Sequence, residues 1–493
     1  MLVHERVVAM PKHSKPNIVL VVDNPVRDLP GLVLLAMELA KQGARAFLVP
    51  MKLQIPEIYL CSPDYVLLPY ARVNNEALIE DLVSRGVRVG VLETEGAVFE
   101  ENISWHLTTA AQKSNRLRLS HAFMWGETSK EIALKHGWYE DEQLVVTGSP
   151  RFDYYSLRFR GVAQQLYPEA NAYQKPYILF IGNQTLANPR FRSSEHELKS
   201  WIEEFGFTEE VAQSIYQKDI IILDELTRLA NRLAQDFPEL TFIYRPHPFE
   251  GETIYYEKLH VNEQSNLHLI RIGSINGWIA QASLLIHRGS TTSFEAAMYG
   301  VPSLTPAWLP GYEITQLENI SIQISSYDDI VQAIEDIIAK RWKSSFEYEQ
   351  AKRLIISEVY GNLDGYYHQR ISTHILDVER NPTTTAEKLN EWFLPFNSAR
   401  QHIRKRIIQT LDLPLNLTLN NLFSMYQPIS WDSSEKRFTV DDVQKIIDAV
   451  TNHVEDFVNV RYRLQQGIFP QHRYLHGRTI VVETVNYSES PSK

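Results

Sequence analysis

Two short segments hold the residues best suited to gripping an anion. Ser283 to Ala297 runs from an apolar strand through His287, Arg288 and Gly289, then through four consecutive hydroxyl residues, Ser290, Thr291, Thr292 and Ser293, into a helix carrying Glu295. Such a turn aims free backbone N–H groups and hydroxyls at one point, which suits a phosphate. Gly289 lets the backbone approach closely, and His287 with Arg288 would add positive charge. The plainer account is a capping box with Thr292 at the N-cap and Glu295 three residues on, and the two accounts are compatible.

The second segment is Thr241 to Pro248. Pro246 and Pro248 stiffen the backbone on both sides of His247 at the carboxyl end of a strand, so its imidazole and the Arg245 guanidinium are expected to be held in place. Preorganised positive groups suit a diphosphate or phosphodiester leaving group. The alternative is a packed or surface histidine. Gly182 and Asn183 follow another strand and read either as contacts to the same ligand or as a tight turn.

The best source of a reactive carboxylate is the loop holding Glu93 and Glu95, directly after the apolar run Val87 to Leu92. A carboxylate there would serve as general base toward a hydroxyl or as nucleophile; otherwise both are solvated loop residues. Asp23 and Asp28 are weaker rivals, Asp28 being most simply a helix N-cap. Asp364 with Gly365 reads as a turn. No Asp-x-Asp pair stands at a strand end, so neither a metal nor a cofactor is expected.

These residues need elements to hold them. From Asn17 onward, short β-branched runs alternate with helical periodicity, which predicts parallel α/β layers. Strands are expected at Asn17–Asp23, Arg45–Val49, Tyr65–Leu68, Val87–Leu92 and Ala122–Gly126. A second series follows at Tyr177–Ile181, Thr241–Tyr244, Leu267–Ile270, Ser283–His287 and Pro302–Leu304. Ligands of open parallel sheets collect at the carboxyl ends of strands, where every segment above lies. The expected organisation is an N-terminal domain over residues 1–160, a second over 170–380 and a helical extension over 381–493. An exposed, turn-rich hinge is expected between Gly148 and Lys175. The extension includes helices near Ala386–Phe393, Ala399–Leu411 and Val440–Val460, and its basic group Arg400, Arg404, Lys405 and Arg406 reads as a solvated face or a membrane-surface contact.

Composition narrows the classes. Hydrophobic residues make up 44% and aromatic residues 11% of the 493 residues, which argues for packed cores. A net charge of −11 disfavours a nucleic-acid partner. Cys61 is the single cysteine, so a reducing compartment, the cytoplasm, is expected. No apolar run reaches the roughly 20 residues that span a bilayer.

The Arg-Pro-His-Pro segment, followed about 40 residues later by His-Arg-Gly-Ser-Thr-Thr-Ser-Phe-Glu-Ala, resembles the donor half of GT-B enzymes that use cytidine nucleotides. These include sialyltransferases, Kdo transferases and CDP-glycerol glycerophosphotransferases. The resemblance implies that His247, Ser290 and Thr291 hold the donor phosphate. More widely, residues 17 to 375 resemble the bacterial surface carbohydrate biosynthesis protein family. The matching segments are Asn17–Leu32, Glu93-Thr-Glu95-Gly96, Thr147-Gly-Ser-Pro-Arg151-Phe-Asp153, and Asn362-Leu-Asp364-Gly365 with Arg370. Glu95 stands where the retaining Kdo transferases have Asp.

What the resemblance implies is a GT-B-like α/β protein, two Rossmann-like doubly wound domains facing a cleft, plus the helical extension. It implies a glycosyltransferase that moves a sugar from a nucleotide donor, a CMP-sugar such as Kdo or a sialic-acid-like sugar, to a glycan or lipid-linked glycan acceptor for polysaccharide, lipopolysaccharide or capsule. Peripheral contact with the inner membrane is compatible with that role. Alternatives are a non-hydrolysing sugar-nucleotide epimerase, a CDP-glycerol-type polyol-phosphate transferase, or a non-catalytic scaffold in glycan assembly.

Overall fold

A computed structural model describes residues 15–51, 54–97, 99, 106, 110–203, 207–262, 264–312, 315–379, 437–466 and 478–485. The first sheet contains six parallel strands: β1 (Asn17–Val22), β2 (Arg45–Pro50), β3 (Tyr65–Leu68), β4 (Arg88–Leu92), β5 (His121–Met124) and β6 (Leu144–Val146). Their spatial order is β2-β1-β3-β4-β5-β6. The second sheet joins β7 (Tyr177–Ile181), β8 (Thr241–Arg245), β9 (Leu267–Leu269), β10 (Leu284–His287), β11 (Ser303–Pro306) and β12 (Ile322–Ile324). All are parallel, in the order β9-β8-β7-β10-β11-β12. Neither β6 nor β12 is among the strands expected from the sequence.

Side-chain alternation along each central strand feeds two cores. Ile18, Leu20 and Val22 point into one and Val19 and Val21 into another, while Ile178 and Phe180 oppose Leu179 and Ile181. Both faces of both sheets are therefore covered, as parallel sheets require. The two-domain, doubly wound α/β architecture expected from the sequence is the one observed. In each sheet the strand order reverses beside the first strand, between β1 and β3 and between β7 and β10. Those reversals open crevices at the carboxyl ends.

The first helix, Pro25–Lys41, starts earlier than expected. Asn24, not Asp28, is its N-cap, accepting from the backbone N–H groups of Val26 and Arg27 at 3.0 and 3.4 Å. Asp28 lies inside the first turn and accepts from Asn24 N at 3.0 Å. The helix is buried from Asp28 to Ala40, because it lies beneath helices Tyr367–Glu379 and Val440–His453 as well as against the sheet.

Three further findings revise the expected organisation. The segment from Gly148 to Lys175 is exposed only in part: Asn171, Ala172, Gln174 and Lys175 are exposed, but Pro150–Tyr155 forms a 3₁₀ turn in which Phe152, Asp153, Tyr154 and Tyr155 are buried, since its aromatic rings have the first domain's core to fill. Helices Phe346–Tyr360 and Tyr367–Glu379, within the span assigned to the second domain, return to pack with the first domain's core. The C-terminal extension is not wholly helical. After Val440–His453 and Glu455–Val458 it supplies β13 (Tyr462–Gln466) and β14 (Ile480–Thr484), and β14 runs antiparallel along β2. A run as short as Ile480–Val482 becomes a strand because β2 offers it an open edge. The expected helices at 386–393 and 399–411, with the Arg400 to Arg406 group, lie outside the described residues. No described helix is long and apolar enough to cross a membrane.

Candidate functional site

At the second sheet's crevice, three segments leave neighbouring strands at the same height. His287 is in register with Ile181, and Ile181 with Arg245. Gly289, Asn183 and His247, each two residues further on, therefore emerge side by side. Asn183 Nδ2 donates to Gly289 O at 3.1 Å, tying the middle loop to the one that follows β10. Strand spacing sets β8 and β10 roughly 10 Å apart, with β7 between them. Gly289 has φ +74°, and a Cβ there would meet the Tyr312 ring at 2.1 Å, so only glycine fits.

His247 is half-buried and held on its backbone side. Its Nδ1 accepts from Phe249 N at 3.2 Å, and its own N–H donates to Glu250 Oε2 at 2.5 Å. Burial, with Arg271 nearby, pushes the imidazole down to about 4, so it is neutral near pH 7 and acts on an anion as a hydrogen-bond donor at most. Pro248 is exposed, and its carbonyl accepts from Arg271 at 2.7 Å.

Glu250, which sequence reasoning missed, organises this crevice. Fully buried, it accepts from Gln184 N at 2.9 Å, His247 N at 2.5 Å and Tyr255 Oη–H at 2.7 Å. Burial raises its carboxyl to about 7. Gly182 sits where a Cβ would lie 2.6 Å from Glu250 Oε2, so its role is to admit that carboxylate. The available signal was a glutamate three residues beyond a proline-flanked histidine.

Three expected anion contacts are spent elsewhere. Arg245 is buried and donates to the carbonyls of Ile272 and Gly273 at 2.7 and 3.0 Å, with Trp278 beside it; burial lowers it to about 10. His287 is buried between Ser290 N at 3.2 Å and Ser321 Oγ at 2.9 Å, and burial beside Arg288 pushes it down to about 3. Arg288 bonds Pro310 O and Glu318 at 2.9 Å each. All three set the shape of the loop rather than its charge. Buried loop carbonyls need donors, and the two arginines supply them, while His287 pairs with an amide and a hydroxyl.

The capping box is not formed either. Ser290 Oγ accepts from Thr292 N at 3.3 Å, and Ser293 donates to Ser290 O at 2.9 Å. Thr291 is exposed and Thr292 half-buried at the loop's outer surface. Glu295 turns instead to the first domain, accepting from Tyr155 Oη–H and lying 3.5 Å from Arg151.

At the first sheet's crevice, Glu93 directly follows β4 and Glu95 stands two residues on. Arg72 binds both, at 2.7 Å to Glu93 and 3.2 Å to Glu95. Glu95 is half exposed, whereas burial, reinforced by Glu95, raises Glu93 to about 7 against the opposing pull of Arg72. Asp23 and Asp28 are taken by Arg27, at 3.3 and 2.7 Å. A cavity here is lined by Val21, Asp28, Leu67, Glu93, Ser149 and Arg151, among others. Arg72 carries no distinctive spacing that would mark it, and Arg151 stands out in the sequence only within the Thr147 to Asp153 segment. Among the described residues, no group of three or more His, Cys, Asp or Glu is placed to hold a metal ion.

No family model and no curated protein matches the chain. Solved structures similar to it include UDP-GlcNAc 2-epimerase from Neisseria meningitidis bound to UDP-GlcNAc, at 14% identity and TM-score 0.45, covering 73% of this chain and 100% of that one. The UDP-GlcNAc 2-epimerase from Methanocaldococcus jannaschii is similar at 15% identity and TM-score 0.47, covering 74% and 100%. The wall teichoic acid polymerase TagF is similar at 12% identity and TM-score 0.48, covering 74% and 90%.

Proposed function

We propose that the protein is an enzyme that acts on a nucleotide-activated sugar or polyol, seating the phosphate of that donor between Asn183, His247 and the Gly289–Thr291 loop. The observation that carries this reading is the shared height of those three segments at the β7/β10 reversal. With Arg245 and Arg288 committed internally, the negative charge is met by backbone N–H groups, hydroxyls and the His247 imidazole.

In the transfer reading, Glu93 takes the proton of an acceptor hydroxyl. A carboxyl raised to about 7 by burial is matched to that task near neutral pH. The donor is a CMP-sugar or a CDP-linked polyol, and the product belongs to a surface polysaccharide or lipopolysaccharide. A second reading, epimerisation of a sugar nucleotide without an acceptor, is favoured by the Glu93 and Glu95 pair on one arginine. Two carboxyls in unlike surroundings supply the acid and the base that moving a stereocentre needs.

The test starts with thermal shifts against CMP, CDP, UDP and GDP, since a ligand of the native state raises its melting temperature. His247→Ala should weaken binding of the nucleotide that scores by about tenfold while changing stability little. Incubation with UDP-GlcNAc alone then separates the readings: conversion at C2 supports epimerisation, and an unchanged sugar supports transfer. If none of the four nucleotides shifts the protein, the donor site assignment is wrong.

A further inference from the structure

We infer that Arg151 is a positioning residue through which an occupied donor crevice sets the acidic loop of the other domain. The inference rests on the proposed function in one respect, that a nucleotide phosphate occupies the β7/β10 crevice. Helix Thr292–Tyr299 begins where the Gly289–Thr291 loop ends, and Glu295 is in its first turn. That carboxylate leaves its own domain to meet Tyr155 and, at 3.5 Å, Arg151. Arg151 Nη1 in turn donates to Thr94 O at 3.4 Å, the carbonyl between Glu93 and Glu95.

The remaining packing keeps this relay in line. The guanidinium lies 5.0 Å from the Trp125 ring and 4.6 Å from that of Phe152. The far end of the acidic loop rests on the same tryptophan, since a Cβ on Gly96 would meet the indole at 2.7 Å. Phe294, adjacent to Glu295, stacks on Phe99 at 5.9 Å. Arg151 also lines the cavity that holds Glu93. Both polar contacts of the relay are long for hydrogen bonds and have room to tighten. A phosphate drawn to the helix start shifts Glu295, and Arg151 carries the shift to Thr94.

Hydrogen exchange of the full chain, with and without saturating CMP or UDP (whichever nucleotide binds), tests this. In the wild type, the nucleotide should slow exchange about threefold or more both at 182–186, beside the crevice, and at 93–97. Arg151→Ala and Glu295→Gln should keep the protection at 182–186 and lose it at 93–97, with Arg151→Lys recovering part. Glu295→Gln preserves side-chain shape, so it reports even if Arg151→Ala folds poorly. Protection at 93–97 that survives both substitutions, or is missing from the wild type while 182–186 is protected, overturns the inference. Absence of protection at 182–186 as well defeats the nucleotide reading, and this relay with it.

Discussion

Asp153 and His368, 215 residues apart, share a fully buried contact of 2.8 Å between Oδ2 and Nδ1. The same carboxylate accepts from the backbone N–H groups of Tyr367 at 2.9 Å and His368 at 3.0 Å, capping helix Tyr367–Glu379. One side chain of the Pro150–Tyr155 turn thus fixes the start of the helix by which the chain returns to the first domain.

Removing that carboxylate should be costly. Asp153→Ala leaves two backbone donors and an imidazole buried without their acceptor, a loss of roughly 3 kcal/mol or more. A denaturant midpoint within experimental error of the wild type would show that the cap is dispensable.

Glu250→Ala makes a parallel case in the second domain. It strips the acceptor from Gln184 N, His247 N and the Tyr255 hydroxyl, so a loss of about 2–4 kcal/mol is expected. Nucleotide affinity should fall as well, because His247 loses its backbone anchor. Since burial raises Glu250 to about 7 from an ordinary value of 4.5, the folded state holds its proton more tightly than the unfolded chain. Its contribution to stability is full below about pH 4.5 and declines as pH rises through 7. The melting temperature of Glu250→Gln should therefore vary less than that of the wild type between pH 5 and pH 8.

The Glu93 carboxyl sets a pH profile for activity. As a base it must be ionised, so the rate should rise with pH and level off above about 7. Arg72→Met removes the positive charge 2.7 Å away, which should move that limb to higher pH. A limb that stays put in the Arg72 variant would assign it to another group.

Gly289→Ala should abolish nucleotide binding and destabilise the second domain by roughly 2–4 kcal/mol, through strain at φ +74° and overlap with Tyr312. Both effects are read in one thermal melt with and without nucleotide. Unaltered binding would mean that this loop does not form the crevice.

Much of this was legible in the sequence, and the failures have a common cause. Apolar runs announced all the parallel strands but β6 and β12, and Gly289, Asn183 and His247 emerged together because strand ends gather by topology. Charge was misread. Arg245, Arg288 and His287 look like anion ligands in a linear text, yet each is turned inward to carbonyls and hydroxyls that only the folded chain supplies. Glu295 fitted a capping box by spacing, whereas its partners, Tyr155 and Arg151, lie in another domain. Glu250 and Arg72 escaped notice, and Arg151 stood out only within a matching segment, because their importance lies in long-range contacts that leave no periodic trace. The segment at Phe152 looked like a linker until its neighbours were known.

The pairing of β14 with β2 carries a practical consequence. Buried Glu57 binds Thr479 and, 421 residues away, the backbone N–H of Arg478, sewing the strand onto the sheet's margin. Trimming the chain before residue 437 would bare the outer edge of β2 at Ala46, Phe47 and Leu48, a hydrophobic ribbon with unpaired backbone groups. Such a ribbon recruits strangers. A shortened protein of this kind should clump during purification even with both crevices untouched.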